Sequence, residues 1–313
     1  MKERFLGEII KQRRQELGIT QAELCEGICE PPTLSRIENK KQTPTRNVLN
    51  ALLQRLGISD DRFYAALTAE EITIKQLCSE INRNIIRYER ALPEEKEDFR
   101  EKILSLLKKF EEMVEEDDII SRQIIIGTDV IVGGSHGVYT PQQKMDKLVE
   151  AISLSHPSFD LDKLEEGLYS YDEVKLINQI ANIYSEMNER QKSIAIREGL
   201  LSNINRRYDN LASPLSIKSM ITYGYARDLL ILGEYEKARQ IAEEGRKVAA
   251  SEGFFQLLPG FIMMIAECDY NLGDMENSKE LFIETYYLSK AVMDSADTQI
   301  AADALKEYFG YEI

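Results

Sequence analysis

Three stretches in the second half of the chain align with one another, and this repetition constrains the fold more than any other feature. Their turn positions lie 45 and then 40 residues apart, at Asn188, Gly233 and Gly273. A small residue stands seven positions before each turn and another five positions after it: Ala181, Ala226 and Ala266, then Ser193, Ala238 and Ser278. Small residues at both points let two helices pack closely, and repetition lets each pair of helices stack on the next.

These stretches resemble the tetratricopeptide repeat, with periods slightly longer than its usual length. The match is closest in LGEYEKARQIAEEG and LGDMENSKELF, and it is weaker in the first stretch, where asparagine replaces glycine at the turn. The resemblance implies an all-α superhelix. In such a superhelix the first helix of each pair lines the concave side.

The first 68 residues carry turn signals that divide them into five short helices. The first predicted helix has an apolar stripe at helical spacing, formed by Phe5, Ile9, Ile10 and Leu17. Thr20 and Glu23 stand three residues apart and make a capping box, which predicts the start of a second helix. The residues of that helix expected to face inward are Ala22, Leu24, Cys25 and Ile28.

Two adjacent prolines open the third predicted helix, in the segment PPTLSRIENKK. Proline is tolerated in a first helical turn because its missing N–H has no partner there in any case. Leu34 and Ile37 are expected in the core of this domain. Thr45 caps a fourth predicted helix, RNVLNALLQRLG, and DDRFYAAL forms a short fifth.

The segments RRQELGITQAEL, LSRIENKK and TPTRNVLNALLQRLGI closely resemble the helix-turn-helix of the phage-repressor and Cro-like (Xre) family. The match covers most of residues 4–67. It implies a five-helix lambda-repressor-like domain, residues 1–68, that binds double-stranded operator DNA with its third helix in the major groove. In that family, residues at the positions of Arg14 and Glu38 form a salt bridge between the first and third helices.

The resemblance also implies which side chains contact DNA. Gln21 would set its amide and the start of the second helix against a phosphate. Arg36 is the best candidate for reading a base, since arginine with guanine is the commonest specific pair. The other positions are Thr33 and Ser35 on the recognition helix, and Asn39, Lys40, Lys41 and Arg46, which would hold the DNA backbone. Pro31 and Pro32 replace usual base-reading positions, which shifts specificity to Arg36, its neighbours and DNA shape.

The charge of the chain is uneven. Its formal net charge is −15, yet residues 1–68 hold 11 basic and 9 acidic side chains, so the remainder is strongly acidic. A DNA-binding part must therefore be small and locally basic. Because the chain shows neither an apolar run long enough for a membrane span nor a signal peptide, we expect a cytoplasmic protein with reduced cysteines. Cys25 and Cys29 lack the partners of a zinc site, and no metal or cofactor is expected.

The glycine-rich stretch 127–137 suggests an alternative hypothesis, that the protein is an enzyme. Its sequence looks like a strand followed by a glycine loop, and GGSHG matches the nucleophile elbow of serine hydrolases around Ser135. His156 is the only later histidine, and too little chain separates it from Ser135 for the fold of those hydrolases. A flexible connection between helices is the preferred interpretation, and the protein is not expected to be an enzyme.

A helix-turn-helix followed by tetratricopeptide-like repeats resembles the Rgg/PlcR/PrgX class of peptide-responsive quorum-sensing regulators. The segment most similar to that class is HPSFDLDKLEEGLYSYDEVKLINQIANIYSEMNERQKSIAI. The resemblance implies a homodimer whose repeat domain binds a short signalling peptide. We expect a helical linker and the first helices of the repeat domain at 69–139, where Pro93 divides two helices. A repeat, peptide-sensing and dimerisation domain is expected at 140–313. Binding of a protein partner by the repeats remains the alternative.

The repeat register identifies candidate residues for the concave groove. Asn178 and Asn182 stand four apart, and asparagine amides can both donate to and accept from a peptide backbone. The same positions in the later repeats are Tyr223 and Arg227, then Met263 and Glu267. Packing is the stronger expectation for Tyr223 and Met263. The acidity of this part of the chain favours a peptide with some positive charge.

Overall fold

The computed structural model describes residues 6–58, 69–134, 137–208 and 215–313, and those residues form an all-α structure. They contain fifteen α-helices and no strand. The predicted fold class is confirmed. None of the described helices is both long and apolar enough to cross a membrane.

The helix-turn-helix begins the chain as four described helices: α1 (Leu6–Glu16), α2 (Gln21–Cys25), α3 (Pro31–Glu38) and α4 (Arg46–Arg55). The predicted capping box is present, with the Thr20 side chain accepting from the backbone N–H of Glu23 and the Glu23 side chain accepting in return. Thr45 caps α4 as predicted. The predicted fifth helix, DDRFYAAL, lies outside the described residues.

The core of this domain is apolar and lies between the four helices. Ile10, Leu24 and Leu34 are 0% exposed, and Ile37 is 2% exposed, which confirms the two core positions predicted on α3. The inward placement of Ala22 was wrong, because α2 is only five residues long and buries only Leu24 and Cys25.

The middle of the chain forms α5 (Ala69–Arg90), α6 (Lys96–Glu111), α7 (Ile119–Gly134) and α8 (Pro141–Ser153). Pro93 divides α5 from α6 as predicted. The expected strand and flexible glycine connection over 127–134 were wrong, since this stretch belongs to α7. The apolar residues of α7 follow one another along the helix and are buried or half-buried, and such a continuous apolar run cannot be assigned to helix or strand by periodicity.

The glycines of α7 serve close packing. A Cβ on Gly127 would lie 2.7 Å from a methyl carbon of Leu176, so a larger residue would force the Leu176 side chain to move. Ser135 and His136, the centre of the hydrolase-like motif, lie outside the described residues. His156 is buried, and its ring packs against that of Tyr169 at a centroid distance of 5.3 Å.

The repeats form seven helices, and their turns confirm the predicted register. The helices are α9 (Tyr171–Glu186), α10 (Arg190–Tyr208), α11 (Leu215–Ile231), α12 (Tyr235–Glu252), α13 (Leu258–Leu272), α14 (Met275–Ala291) and α15 (Ser295–Phe309). Asn188, Gly233 and Gly273 adopt φ values of 62°, 80° and 92°. Asparagine tolerates this left-handed conformation better than most residues, so it can replace glycine at the first turn.

The six small residues that flank these turns are all buried, as close helix packing requires. The Ser278 hydroxyl donates to the carbonyl of Ala266 at 2.8 Å, which joins α14 directly to α13. The pairing of helices within each repeat therefore depends on small residues at both predicted offsets.

Packing divides the chain into two compact units. The first comprises Met1–Cys78, Leu107–Ile180 and Ser202–Pro214, and the second comprises Ser79–Leu106, Ala181–Leu201 and Leu215–Ile313. The first unit holds the helix-turn-helix together with α7 and α8. The second unit holds α11 to α15, whose core includes Phe261, Ile265, Phe282 and Leu305.

Candidate functional site

The surface of the recognition helix α3 combines apolar prolines with polar and basic side chains. It begins at Pro31 with prolines in its first two positions, which confirms that the prolines open the helix. Pro31, Pro32 and Arg36 are exposed, while Thr33 and Ser35 are half-buried. The Arg36 Nε donates to the carbonyl of Pro32 at 3.2 Å, so its guanidinium lies along the exposed side of the helix.

An ion pair anchors α3 to α1. Arg14 donates through Nε and Nη2 to the two carboxylate oxygens of Glu38, at 2.6 and 2.9 Å. This confirms the predicted pair. Burial alone would raise the pKa of Glu38, but the hydrogen bonds from Arg14 and Gln21 outweigh burial and lower it.

Gln21 takes part in the same network. Its Nε2 donates to Glu38 at 2.7 Å. The predicted contact of this amide with a phosphate stays a prediction, and the Nε2 group carries a second N–H for such a contact. Sequence reasoning found the Arg14–Glu38 pair and missed this third member.

The basic segment after α3 is held by local bonds. Asn39 donates its side-chain amide to the carbonyl of Ser35 at 2.8 Å, and Lys40 adopts a φ of 62°. The Lys40 amine lies 2.6 Å from Glu8, in an exposed ion pair. Lys41 is exposed, and Arg46 is half-buried in the first turn of α4. The turn therefore places two exposed lysines directly beside the end of α3.

A buried arginine joins the helix-turn-helix to the rest of the first unit. Arg55, at the end of α4, is 1% exposed and donates to the carbonyls of Leu24, Glu26 and Ser155. Its Nη2 also lies 3.6 Å from the buried carboxylate of Glu173 on α9. The sequence signal that could have revealed it is a charged residue inside an apolar helical run.

The backbone at Gly27 lies very close to the backbone at Ser155, beside the carbonyls that Arg55 binds. Gly27 has a φ of 68°, and a Cβ there would lie 2.3 Å from the carbonyl oxygen of Ser155. Only glycine fits both the conformation and the contact. The turn after α2 therefore lies directly against the backbone that follows α8.

The second unit carries an open surface formed by the first helices of its repeats. On α11, four of the exposed or half-buried positions are spaced as one helical stripe: Met220, Tyr223, Arg227 and Ile231. On α13 the corresponding stripe contains the half-buried Met263 and Glu267. Tyr223 packs edge-on against Phe261, which joins the two helices.

Of the candidate ligand residues on this surface, Met263 and Tyr223 take part in packing as expected, and Glu267 accepts a hydrogen bond from α15. Met263 packs at the edge of the core of the second unit, and Tyr223 covers Gly260. Glu267 accepts from the Tyr308 hydroxyl of α15, at 3.2 and 3.3 Å. Burial raises the pKa of the Glu267 carboxyl, and burial beside this carboxylate raises the pKa of Tyr308 to about 12.

The two predicted asparagines differ in exposure. Asn182 belongs to the second unit, is half-buried, and accepts at Oδ1 from Nη2 of Arg197 at 2.6 Å. Asn178 belongs to the first unit and is only 5% exposed, so it does not share the open face of α9 with Asn182. Gln179, which the four-residue spacing missed, is half-buried beside that face.

A family model described as a helix-turn-helix matches residues 10–63. No curated protein matches the chain. Among the described residues, no group of three or more histidine, cysteine or acidic side chains is arranged to hold a metal ion.

Solved structures resemble the chain over almost its full length. PlcR of Bacillus thuringiensis, in complex with the peptide PapR7 and DNA, aligns over 96% of this chain and 100% of its own, at 19% identity and a TM-score of 0.60. The competence regulator ComR of Streptococcus vestibularis, in complex with its cognate signalling peptide XIP, aligns over 97% and 98%, at 13% identity and a TM-score of 0.53. The chain thus carries an N-terminal helix-turn-helix domain on a fold that it shares with PlcR and ComR.

Proposed function

We propose that the protein is a sequence-specific transcription regulator whose repeat groove binds a short signalling peptide and thereby alters DNA binding or activation. It would act in the cytoplasm as a homodimer on two DNA half-sites, as a regulator and not as an enzyme. Binding of a protein partner by the repeats remains the alternative, because the open surface exposes the apolar side chains of Met220 and Ile231 while Asn178 is buried.

The observation that carries the DNA-binding part is the surface of α3. The Arg14–Glu38 pair fixes this helix on α1, and Arg36 with Lys40 and Lys41 gives it an exposed basic edge. This edge belongs to the least acidic part of a chain whose net charge is −15. Cationic side chains beside an exposed helix are what phosphate and base-edge contacts require.

The peptide-binding part rests on the open stripes of α11 and α13, which combine apolar and charged side chains. The likeness of fold to PlcR, solved with a peptide and DNA, and to ComR, solved with its signalling peptide, supports this part. Extended peptides bind in grooves that combine polar groups for the backbone with apolar contacts for side chains.

Selection of duplexes from a random DNA pool tests the DNA-binding part. The wild-type chain should enrich one motif, and Arg36→Ala should lose about 1–3 kcal/mol of binding free energy at one base step. Lys41→Ala is the matched control, because a phosphate contact weakens binding uniformly across sequences. Absence of an enriched motif, or an unchanged motif and affinity for Arg36→Ala, would overturn the assignment.

A further inference from the structure

Exposed apolar side chains stand at the three repeat turns. Met187, Leu232 and Leu272 each directly precede the turn residue, and they are 39%, 40% and 41% exposed. A single exposed apolar residue is ordinary on a protein surface, whereas a contiguous set of them marks an interaction surface. The same feature at three successive turns therefore requires a physical reason.

Side-chain bonds show that these turns are neighbours along one side of the second unit. The Ser185 hydroxyl, near the first turn, donates to Asp228, near the second turn, at 2.8 Å. Arg239, which follows the second turn, donates to Asp269, which precedes the third turn, at 2.5 Å. The exposed residues of successive turns are therefore adjacent in space.

The row of apolar residues continues beyond the third turn. Met275, in the first turn of α14, is 48% exposed. Lys279 on the same helix places its amine 4.6 Å from the centroid of the Tyr311 ring, and this ring is itself exposed. We call this surface the turn edge, and its apolar residues are Met187, Leu232, Leu272, Met275 and Tyr311.

Acidic side chains without a charged partner accompany the apolar residues of the turn edge. Glu234 and Asp274 each follow a turn glycine, and Glu236 and Glu276 lie two residues further along the chain. These side chains are exposed, and within the described ranges none of them forms an ion pair.

The basic side chains near the turns are already paired. At the starts of α10 and α12 the pairs are Arg190 with Asp228, Lys192 with Glu189, Lys237 with Glu198 and Arg239 with Asp269. The carboxylates of Asp228 and Asp269 are buried, so their arginines are directed inward. The charge that stays exposed and unpaired at the turn edge is negative.

This combination of apolar surface and negative charge decides which partner fits. A DNA duplex or an anionic membrane surface would be repelled by the unpaired carboxylates. A second copy of the same edge, related by a two-fold axis, would bring like charges together. A protein segment that carries apolar and basic side chains on one face complements both properties of the turn edge.

The spacing of the turns indicates a helix as that segment. Packed helices lie about 8–10 Å apart. Because α11 packs on α13, the second and third turns are separated by about that distance, roughly 8–10 Å. Residues seven apart on a helix share one face and lie about 10.5 Å apart along its axis. Apolar side chains at this spacing would contact successive turns.

We propose that the turn edge binds a basic amphipathic helix of a partner protein. Leu232 and Leu272 would receive two apolar side chains of that helix. Glu234 and Glu276 would pair with its lysines or arginines. The turn edge lies at the ends of the repeat helices, whereas the proposed peptide groove runs along the sides of α11 and α13, so either site can exist without the other.

Two fluorescein-labelled model helices test the chemistry of this surface. Both repeat leucines at heptad spacing; the first carries lysines beside the leucines, and the second carries glutamates at the same positions. Fluorescence anisotropy is measured at about 0.15 M salt, where charges further apart than about 8 Å are screened. The wild-type chain should bind the lysine helix and not the glutamate helix.

Removal of the apolar contact should weaken this binding. Leu232→Ser combined with Leu272→Ser should raise the Kd for the lysine helix about tenfold or more. The matched control is Phe255→Ser combined with Met293→Ser, since these exposed apolar residues follow the other ends of α12 and α14. The control should leave the Kd unchanged.

Reversal of the charge gives a result that misfolding cannot produce. Glu234→Lys combined with Glu276→Lys should switch the preference, so that the glutamate helix binds and the lysine helix does not. Thermal unfolding followed by circular dichroism verifies that every variant folds.

The outcomes decide between the turn edge and the rest of the surface. Binding that is lost only in the leucine variant, together with the switched preference of the lysine variant, supports the turn edge. Equal Kd values for the wild-type chain and the leucine variant, or no binding of either helix, would overturn it. Loss of binding in Met220→Ser with normal binding in the leucine variant would overturn it as well, because the helix would then occupy the groove.

Discussion

At the scale of single residues, Glu38 determines how the recognition helix is held. Its carboxylate is buried at 3% exposure and accepts from Arg14 and from Gln21. A buried carboxylate is stable only when its lone pairs are satisfied in this way. The position of Arg36 relative to α1 therefore depends on a residue that would not contact DNA itself.

The lowered pKa of Glu38 predicts how this pair responds to pH. A carboxyl whose folded pKa is depressed contributes stability above its unfolded pKa, about 4.3, and that contribution is lost as pH falls through the folded pKa. Glu38→Gln should therefore cost about 1.5–3 kcal/mol at pH 7. The difference in free energy of unfolding between wild type and variant should shrink at lower pH.

Urea unfolding followed by far-UV circular dichroism at a series of pH values measures this difference, since the chain contains no tryptophan. Glu16→Gln is the control, because Glu16 forms an exposed ion pair with Arg13. A difference for Glu38→Gln that stays constant from pH 7 to pH 3 would contradict the assigned pair.

At the scale of elements, the contact between α4 and α9 connects the helix-turn-helix to its support. Arg55 satisfies the carbonyls at the end of α2 and after α8, and Glu173 balances its charge. The Ser155 hydroxyl donates to Glu173 at 2.5 Å, and Gln123 of α7 donates to Ser155 at 2.6 Å. One buried polar network thus includes four different helices, so breaking one member affects all of them.

Removal of Arg55 tests this connection. Arg55→Met should cost about 3–5 kcal/mol, because it leaves the buried Glu173 carboxylate without its cation. Hydrogen–deuterium exchange should increase around residues 24–29 and 153–160. Arg122→Met, which removes an exposed arginine of the first unit, should cost less than about 1 kcal/mol. Unchanged exchange in Arg55→Met would contradict the role given to the network.

The elements also explain which parts of the fold the sequence predicts. Caps at Thr20 and Thr45, prolines at the start of α3 and the repeat turns depend on local backbone geometry, and all were predicted correctly. The helix α7 was not, because its apolar residues follow one another along the chain and carry no periodic signal. The exposure of Asn178 depends on neighbouring helices, so a four-residue spacing alone could not predict it.

In the candidate sites too, features set by a local motif were predictable, and features set by packing were not. The Arg14–Glu38 pair was predictable because it belongs to a motif with fixed spacing. The orientation of Asn182 was not, since Arg197, fifteen residues away, sets it only after α9 and α10 pack together. The orientation of the Asn182 amide is therefore set by Arg197 of the neighbouring helix, which spacing along α9 does not show.

At the scale of the whole molecule, the proposed function requires that the two candidate sites influence each other. Such coupling is a free energy shared between ligands, and it is reciprocal: peptide changes the affinity for DNA by the same factor as DNA changes the affinity for peptide. The Arg55 network gives the helix-turn-helix a defined attachment within the first unit, which is one requirement for transmitting such a change.

The affinity of the protein for its selected duplex, with and without a peptide that binds the wild-type chain, tests this account most directly. Fluorescence anisotropy should show the duplex Kd changing by about fivefold or more at saturating peptide. In Asn182→Asp, which keeps an oxygen for Arg197 but removes the amide donors, the change should require much more peptide. Identical duplex Kd values with and without saturating peptide would contradict the account.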